Sequence, residues 1–287
     1  MANTQCAGSN SNLSNKKCST DYGQLVNIWI DPTDTGLSVT TAALVTNWDT
    51  KKNYDTDERT FIFPFPDDVI MEPNDPQFAE SNLPGTKYVR DGQLTIQLHY
   101  EKISKCALRK LKTFHNQTWY AYGITINEDI IASSNDAGTT LVPNKCKIFV
   151  NERLAENKDD SNKCIVRVVF QETEDLWDYV VTPTDFDPTS YEGIVDFDMT
   201  QYGTLSAIAF YVDFTRDCDD TELTPEFVAA DFTTSAGSIT SIVWVGNRAT
   251  FSGTTFASGV VLTHDGQPDA TTAGYEASAA LTLASSV

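Results

Sequence analysis

Apolar and polar residues alternate with a period of two along much of this chain, and that pattern predicts strands. Gln24-Leu25-Val26-Asn27-Ile28-Trp29-Ile30 is an apolar run of strand length, closed by the turn signal Asp31-Pro32. Leu37 to Thr46, rich in Val and Thr, predicts a second strand. Thr60 to Pro66 carries Pro64 and Pro66, which restrict it to an edge strand or an extended loop. Residues 66–86 hold further prolines and many acids and read as one long loop. Tyr88 to Tyr100 reads as a hairpin turning at Asp91-Gly92. In its second arm Leu94, Ile96, Leu98 and Tyr100 share one face, and His99 takes the opposite one.

The period changes once. Between Glu101 and Phe114, the residues Ile103, Ala107, Leu108, Leu111 and Phe114 recur at helical spacing. Lys102, Lys105, Arg109, Lys110 and Lys112 fall mostly on the other side. This predicts a helix lying on a sheet, with a basic back. That back is either a solvated face or a contact for an acidic patch of a neighbouring copy. Strands resume at Thr118 to Ile126, Lys147 to Val150 and Ile165 to Phe170. The charged connection Asn151–Lys163 predicts a projecting hairpin arm. Gly193 to Met199 and Gly203 to Phe214 complete this part of the chain, after an acidic, aromatic stretch between Phe170 and Gly193.

Residues 1–21 are small and polar without either period, which predicts an extended arm ordered by whatever holds it. Composition shifts near residue 216, so residues 22–215 are expected to form a β body and 216–225 a linker. Residues 226–287 are rich in Ala, Ser, Thr and Gly. Short strands are expected at Phe227–Thr233, Ser238–Val245, Ala249–Phe251, Gly259–Thr263 and Ser278–Ala284. That spacing predicts a small β-sandwich. The expected class is therefore mainly β: a β-sandwich or barrel body with one flanking helix, plus a small C-terminal β-sandwich.

Charge narrows the function. Among 287 residues, 40 Asp and Glu face 20 Lys and Arg, for a formal net charge of -20. Such a surface repels phosphate backbones, which disfavours general nucleic-acid binding and suits either plain solubility or a conduit that DNA traverses without sticking. No stretch approaches the ~20 apolar residues of a membrane helix, so no membrane partner is expected. The first residues lack the basic-then-apolar pattern of a secretory signal, which predicts synthesis and folding in a cytoplasm.

The search for chemistry returns little. Cys6, Cys18, Cys106, Cys146, Cys164 and Cys218 stand far apart without a CxxC pair, and the three histidines are His99, His115 and His264. Zinc sites need closer ligand pairs. Free thiols are expected for most of the cysteines, with a disulfide or shared metal left open for Cys6 and Cys18. Nucleotide-binding, hydrolase and metalloprotease motifs are missing from the sequence. Trp177 beside Glu174, Asp175 and Asp178 would suit a sugar cleft, but chance pairs of acids are common in so acidic a chain. Asp217, Asp219 and Asp220 lack the spacing of a calcium loop. No catalytic, cofactor-binding or metal-binding residue is assigned, no cofactor is expected, and the chain is not expected to be an enzyme.

The order of the polar arm QCAGSNSNLSNKKC, the first strands, the segment ERTFIFPFPDDVIMEPNDPQFAESNLPGTKYVRDGQLTIQLHY and then a helix resembles virion proteins of tailed phages that infect Bacteroidota. The layout of residues 1–215 is similar to the tail tube (major tail) protein fold, and the C-terminal unit looks like the immunoglobulin-like appendages of phage tail and capsid proteins. The resemblance implies a virion structural protein whose self-association gives stacked, six-membered rings. These would form an acidic tube for DNA passage at ejection, in contact with other virion proteins. It implies no catalytic residues. A capsid decoration or head fibre protein is the alternative, and a carbohydrate-active surface protein a third reading. In a tube, Asp196 and Asp198, which alternate with Val195, Phe197 and Met199, are candidates to face the lumen; bulk solvent is the other reading.

Overall fold

The computed structural model describes residues 24–54, 57–73, 77–80, 86–90, 93–101, 103–134, 138–153, 163–171, 179–218, 220–224, 227–267, 269–270 and 272–285. The polar arm 1–21 lies outside the described residues. The chain is mainly β, with twenty-one strands and three short α-helices among the described residues. It divides into two compact units, Met1–Lys51 with Asp57–Tyr191, and Lys52–Thr56 with Glu192–Val287.

The first unit contains β1 (Leu25–Asp31), β2 (Leu37–Ser38), α1 (Val39–Ala42), α2 (Val45–Lys52, whose last residue falls in the second unit), β3 (Phe61–Ile62), β4 (Asp68–Pro73), β5 (Gln77–Glu80), β6 (Thr86–Arg90) and β7 (Leu94–Glu101). It continues through α3 (Lys105–Lys112), β8 (Thr118–Thr125), β9 (Asp129–Ser133), β10 (Thr140–Leu141), β11 (Asn144–Arg153), β12 (Lys163–Phe170) and β13 (Tyr179–Pro183). Nine of these strands share one sheet, in the order β13-β9-β8-β11-β12-β7-β4, with β1 on β8 and β3 on β1. Both faces of β1 are covered, which is why its sequence is apolar almost throughout. Ile28 and Ile30 join one core with Leu98, Ile148, Val166 and Leu108 of α3. Trp29 enters a second core with Trp48, Tyr122, Ile124 and Ile130.

Leu37 to Thr46 is not a strand beyond Ser38. Ser38 caps α1 by accepting from Thr41 N at 3.1 Å. Trp48 of α2 then buries its ring against Trp29, 4.9 Å away, and Tyr122, 5.1 Å away. Its indole N–H donates to Ala42 O at 2.8 Å. A cap and a buried aromatic outweigh the modest strand preference of Val and Thr. Nor is 66–86 a loop: β4 pairs β7 from Asp68↔His99 to Pro73↔Leu94, and β5 pairs β6. Pro73 is tolerated because β4 has a ladder partner on one side only. The single helix expected over 101–114 is α3, capped by Ser104, and α1 and α2 add to it.

The second unit begins at Glu192 rather than near residue 216. Its strands are β14 (Val195–Tyr202), β15 (Ala209–Arg216), β16 (Phe232–Thr234), β17 (Ser238–Val245), β18 (Arg248–Thr254), β19 (Val261–His264), β20 (Tyr275–Ala277) and β21 (Leu281–Thr282). One sheet runs β17-β18-β15-β14-β20 and the other β16-β19-β21. Phe197, Phe210, Phe214 and Phe251 from the first sheet meet Phe232 and Leu262 from the second in one core. The sandwich expected at 226–287 thus takes two of its strands from the segment expected to belong to the body. The expected linker 216–225 folds back on β15: Arg216 N donates to Thr221 O at 2.8 Å, Leu223 N donates to Phe214 O at 3.1 Å, and Leu223 is buried.

Candidate assembly surfaces

The titratable residues named from sequence are mostly packing groups. His115 Nδ1 accepts from Val150 N at 3.0 Å. His264 Nδ1 accepts from Gly266 N at 3.1 Å, and its ring packs on Phe197, Phe227 and Phe232. Burial holds its pKa below the ordinary histidine value, against an upward pull from Asp231, Asp265 and Glu276. His99 is half-buried, with a buried Nε2 that has no partner. Among the described residues none of the three shares a hydrogen bond with a hydroxyl, thiol or carboxylate. Burial pushes the Cys146 thiol up to about 12 and the Cys164 thiol up to about 11, where neither is a thiolate at neutral pH. These two are free and buried, whereas Cys106 and Cys218 are disulfide-bonded, which corrects the expectation of free thiols for them. Trp177, Glu174, Asp175 and Asp178 lie outside the described residues, as does Asp219.

The best-made polar cluster in the first unit is closed to solvent. Asp31, at the end of β1, is fully buried. Its Oδ2 receives Lys51 Nζ at 2.5 Å and Thr60 Oγ1 at 2.9 Å. Its Oδ1 receives Thr33 N and Thr33 Oγ1, both at 3.0 Å. Every contact to this carboxylate comes from the chain itself, so its work is to fasten α2 and the segment before β3 onto β1.

What remains open to other molecules is backbone architecture. β4 pairs with β7 as far as Pro73↔Leu94, and β5 pairs with β6 from Gln77↔Arg90, with a one-residue shift at Phe78. β12 accompanies β7 only as far as Thr95. β5 and β6 have only each other for ladder partners among the described residues. β5 is four residues long, about 14 Å at ~3.4 Å per residue. On β4, Ile70 and Met71 are exposed.

A second hairpin, β11–β12, keeps one register from Cys146↔Phe170 to Arg153↔Lys163. The tip at 154–162, including Glu156, Lys158, Asp159 and Asp160, lies outside the described residues. Its base is pinned by Lys112 to Glu152 at 2.9 Å and by Lys163 to Glu101 at 2.8 Å. Leu108 and Leu111 of α3 are buried in the core, so the helix sits on the sheet as its pattern predicts. Part of its basic back is therefore satisfied within the chain. Lys105 and Arg109 are exposed one turn apart and form no ion pair with a described residue.

Asp196 and Asp198 do face away from the sandwich core while Phe197 and Met199 enter it. They belong to the second unit, however, and Asp198 accepts from Ser278 Oγ. A wall built from the nine-stranded sheet does not include them. No protein-family model matches the chain, and no curated protein is significantly similar to it.

Proposed function

We propose that the chain is a virion structural subunit of the tail-tube type, which self-associates into stacked, six-membered rings around an acidic passage for DNA. The observation that carries this reading is the two-stranded arm formed by β5 and β6. Among the described residues its strands pair only with each other. A two-stranded ribbon standing alone in water is marginal at best. Packing against a neighbouring subunit supplies the missing contacts, and an exposed strand edge supplies main-chain hydrogen bonds. Lys105 and Arg109 add two exposed cations that pair with no described residue, complementary to the acidic surface of another copy of a chain of net charge -20.

The alternative, a capsid decoration or head fibre protein, draws on the second unit, a sandwich exposing Tyr202, Tyr211, Val243 and Val245 on one sheet. Electron microscopy of the purified full chain separates the two. Rings or tubes are expected, and a chain that stays monomeric or trimeric at high concentration refutes the tube. Replacing residues 74–93 by Asn-Gly removes the arm beyond Pro73↔Leu94 while leaving the sheet. That variant is expected to keep its β-sheet circular dichroism and to lose assembly. Normal tubes from it would show that the arm is not the joint.

A further inference from the structure

β17 forms one edge of the second unit's five-stranded sheet. It pairs with β18 along one side. On its other side no backbone hydrogen bond reaches a described residue. Edges of this kind are ordinarily blunted by charges or proline. The strand Ser-Ile-Thr-Ser-Ile-Val-Trp-Val has neither. Its single irregularity is a register shift between Ile239 and Ser241, which leaves Ser241–Val245 as regular strand.

The ladder fixes which groups face outward. β17 and β18 are joined by the two-residue turn Gly246-Asn247, with Gly246 at φ 63°. Such a turn makes Val245↔Arg248 a hydrogen-bonded pair. By alternation Val243 and Ser241 also bond to β18, and Ile242 and Trp244 turn their N–H and C=O to the edge that no described strand pairs with. The side chains of Ile242 and Trp244 pack toward the core, whereas Val243 is 58% exposed and Val245 75%. From Phe232 to His264, Arg248 is the only ionised side chain, and there is no Asp or Glu. Two copies of a chain with a net charge of -20 repel each other. β17 carries none of the carboxylates responsible.

We propose that β17 pairs antiparallel with β17 of a second copy about a two-fold axis, joining two five-stranded sheets into one of ten. The axis passes at Val243. Ile242 then exchanges hydrogen bonds with the partner's Trp244, and Val243 stands opposite the partner's Val243 as a non-hydrogen-bonded pair. Ser241 meets the partner's Val245. The self-pairing is isologous, so the one edge supplies both halves of the joint. It places no charge opposite a like charge and sets the strand's two exposed valines beside partner side chains. Five residues per copy bury well under the ~800 Å² per partner of a standard complex, so the pairing is weak alone and gains strength from multivalency in an assembly. It uses only the second unit and does not depend on the tail-tube reading.

The test uses the full chain carrying Val243→Cys, oxidised with Cu(II)-phenanthroline. Non-hydrogen-bonded antiparallel pairs hold their Cα atoms ~4.5 Å apart, inside the range a disulfide spans. Thr263→Cys, exposed on β19, is the control. A disulfide-linked dimer is expected from Val243→Cys at about ten times the control yield, and equal yields overturn the proposal. Val243→Lys and Val243→Asp, both at an exposed position, are each expected to weaken self-association by about tenfold in sedimentation equilibrium. Mixing the two variants is expected to restore it as a heterodimer. A wild-type chain that does not self-associate, or a mixture no more associated than either variant alone, rejects the pairing.

Discussion

Removing the Asp31 carboxylate strikes the buried ion pair of the first unit. Asp31 has no exposed side-chain surface, and Lys51 is 11% exposed. In Asp31→Ala the Lys51 ammonium keeps its burial and loses its counter-charge, while Thr60 Oγ1, Thr33 N and Thr33 Oγ1 lose their acceptor. Breaking a buried pair from one side costs about 3–5 kcal/mol. That is a large share of the ~5–15 kcal/mol by which a domain is stable. Asp31→Asn retains an acceptor and loses the charge, so about 2–3 kcal/mol is expected, the worth of hydrogen bonds to a charged group. Replacing both ends, as Asp31→Leu with Lys51→Met, removes the unpaired charge together with its partner. The double variant is expected to cost less than the two single changes added together, by about 2 kcal/mol. Urea unfolding followed by tryptophan fluorescence reads this directly, because Trp29 and Trp48 lie in the adjoining core. A loss below about 1 kcal/mol for Asp31→Ala would refute the account, as would strict additivity in the double variant.

Two further outcomes are expected. A fragment ending at Arg216 keeps β14 and β15 but strips the partners of Phe197, Phe210, Val212 and Phe214; at about 1.5–3 kcal/mol per buried side chain this exceeds what two strands can hold. It should therefore bind a hydrophobic dye and aggregate, whereas a fragment ending at Tyr191 stays soluble; equal behaviour of the two would contradict the boundary. The sandwich should also lose stability as pH falls below about 6.5, the ordinary histidine value, because burial lowers the His264 pKa and the unfolded chain takes up the proton first. That loss levels off below the folded-state pKa. Melting temperatures between pH 7.5 and 5.5 test it, and an unchanged slope in His264→Phe would assign the effect elsewhere.

The readable parts of the fold were those where one short-range rule acts alone. β17 runs from Ser238 to Val245 as its sequence predicts, because alternating residues are bounded by turn residues at both ends. Helix α3 follows from the apolar stripe with Ser104 as cap. In β14, alternation identified Phe197 and Met199 as inward and Asp196 and Asp198 as outward. Failures came where distant partners decide. α2 exists because Trp48 finds Trp29 and Tyr122, which no local pattern announces. β4 was hidden by Pro73 and by the prolines on either side of it in the sequence, and only its place at the margin of the sheet makes Pro73 acceptable. β9 and β13 pair with each other across the chain, and the short runs Ile130-Ile131-Ala132 and Val180-Val181-Thr182 were the available signal. The change in composition near residue 216 tracks surface chemistry rather than the core, since Phe197 to Phe214 lie before it and are buried with Phe251 and Leu262 beyond it. The surfaces proposed for assembly were only partly visible: a hairpin at Asn151–Lys163 was expected, but β5 fell within a segment read as a loop, and β6 was assigned to a hairpin with β7, whereas it pairs with β5.

The position of β1 has a consequence in time. Trp29 lies opposite Tyr122 in the ladder with β8, about 90 residues further along the chain. At ~5–20 residues per second of synthesis, β1 leaves the ribosome roughly 5–18 s before the strand that covers its flank exists. For that interval Leu25-Val26-Asn27-Ile28-Trp29-Ile30 is an apolar segment with only the two-residue β3 available to pair with it. Neither core can close early, because Ile28 and Ile30 belong to one and Trp29 to the other. The nascent chain is thus a client for holding chaperones until residue 125 has emerged, and its yield should depend more on them than on the stability of the finished fold.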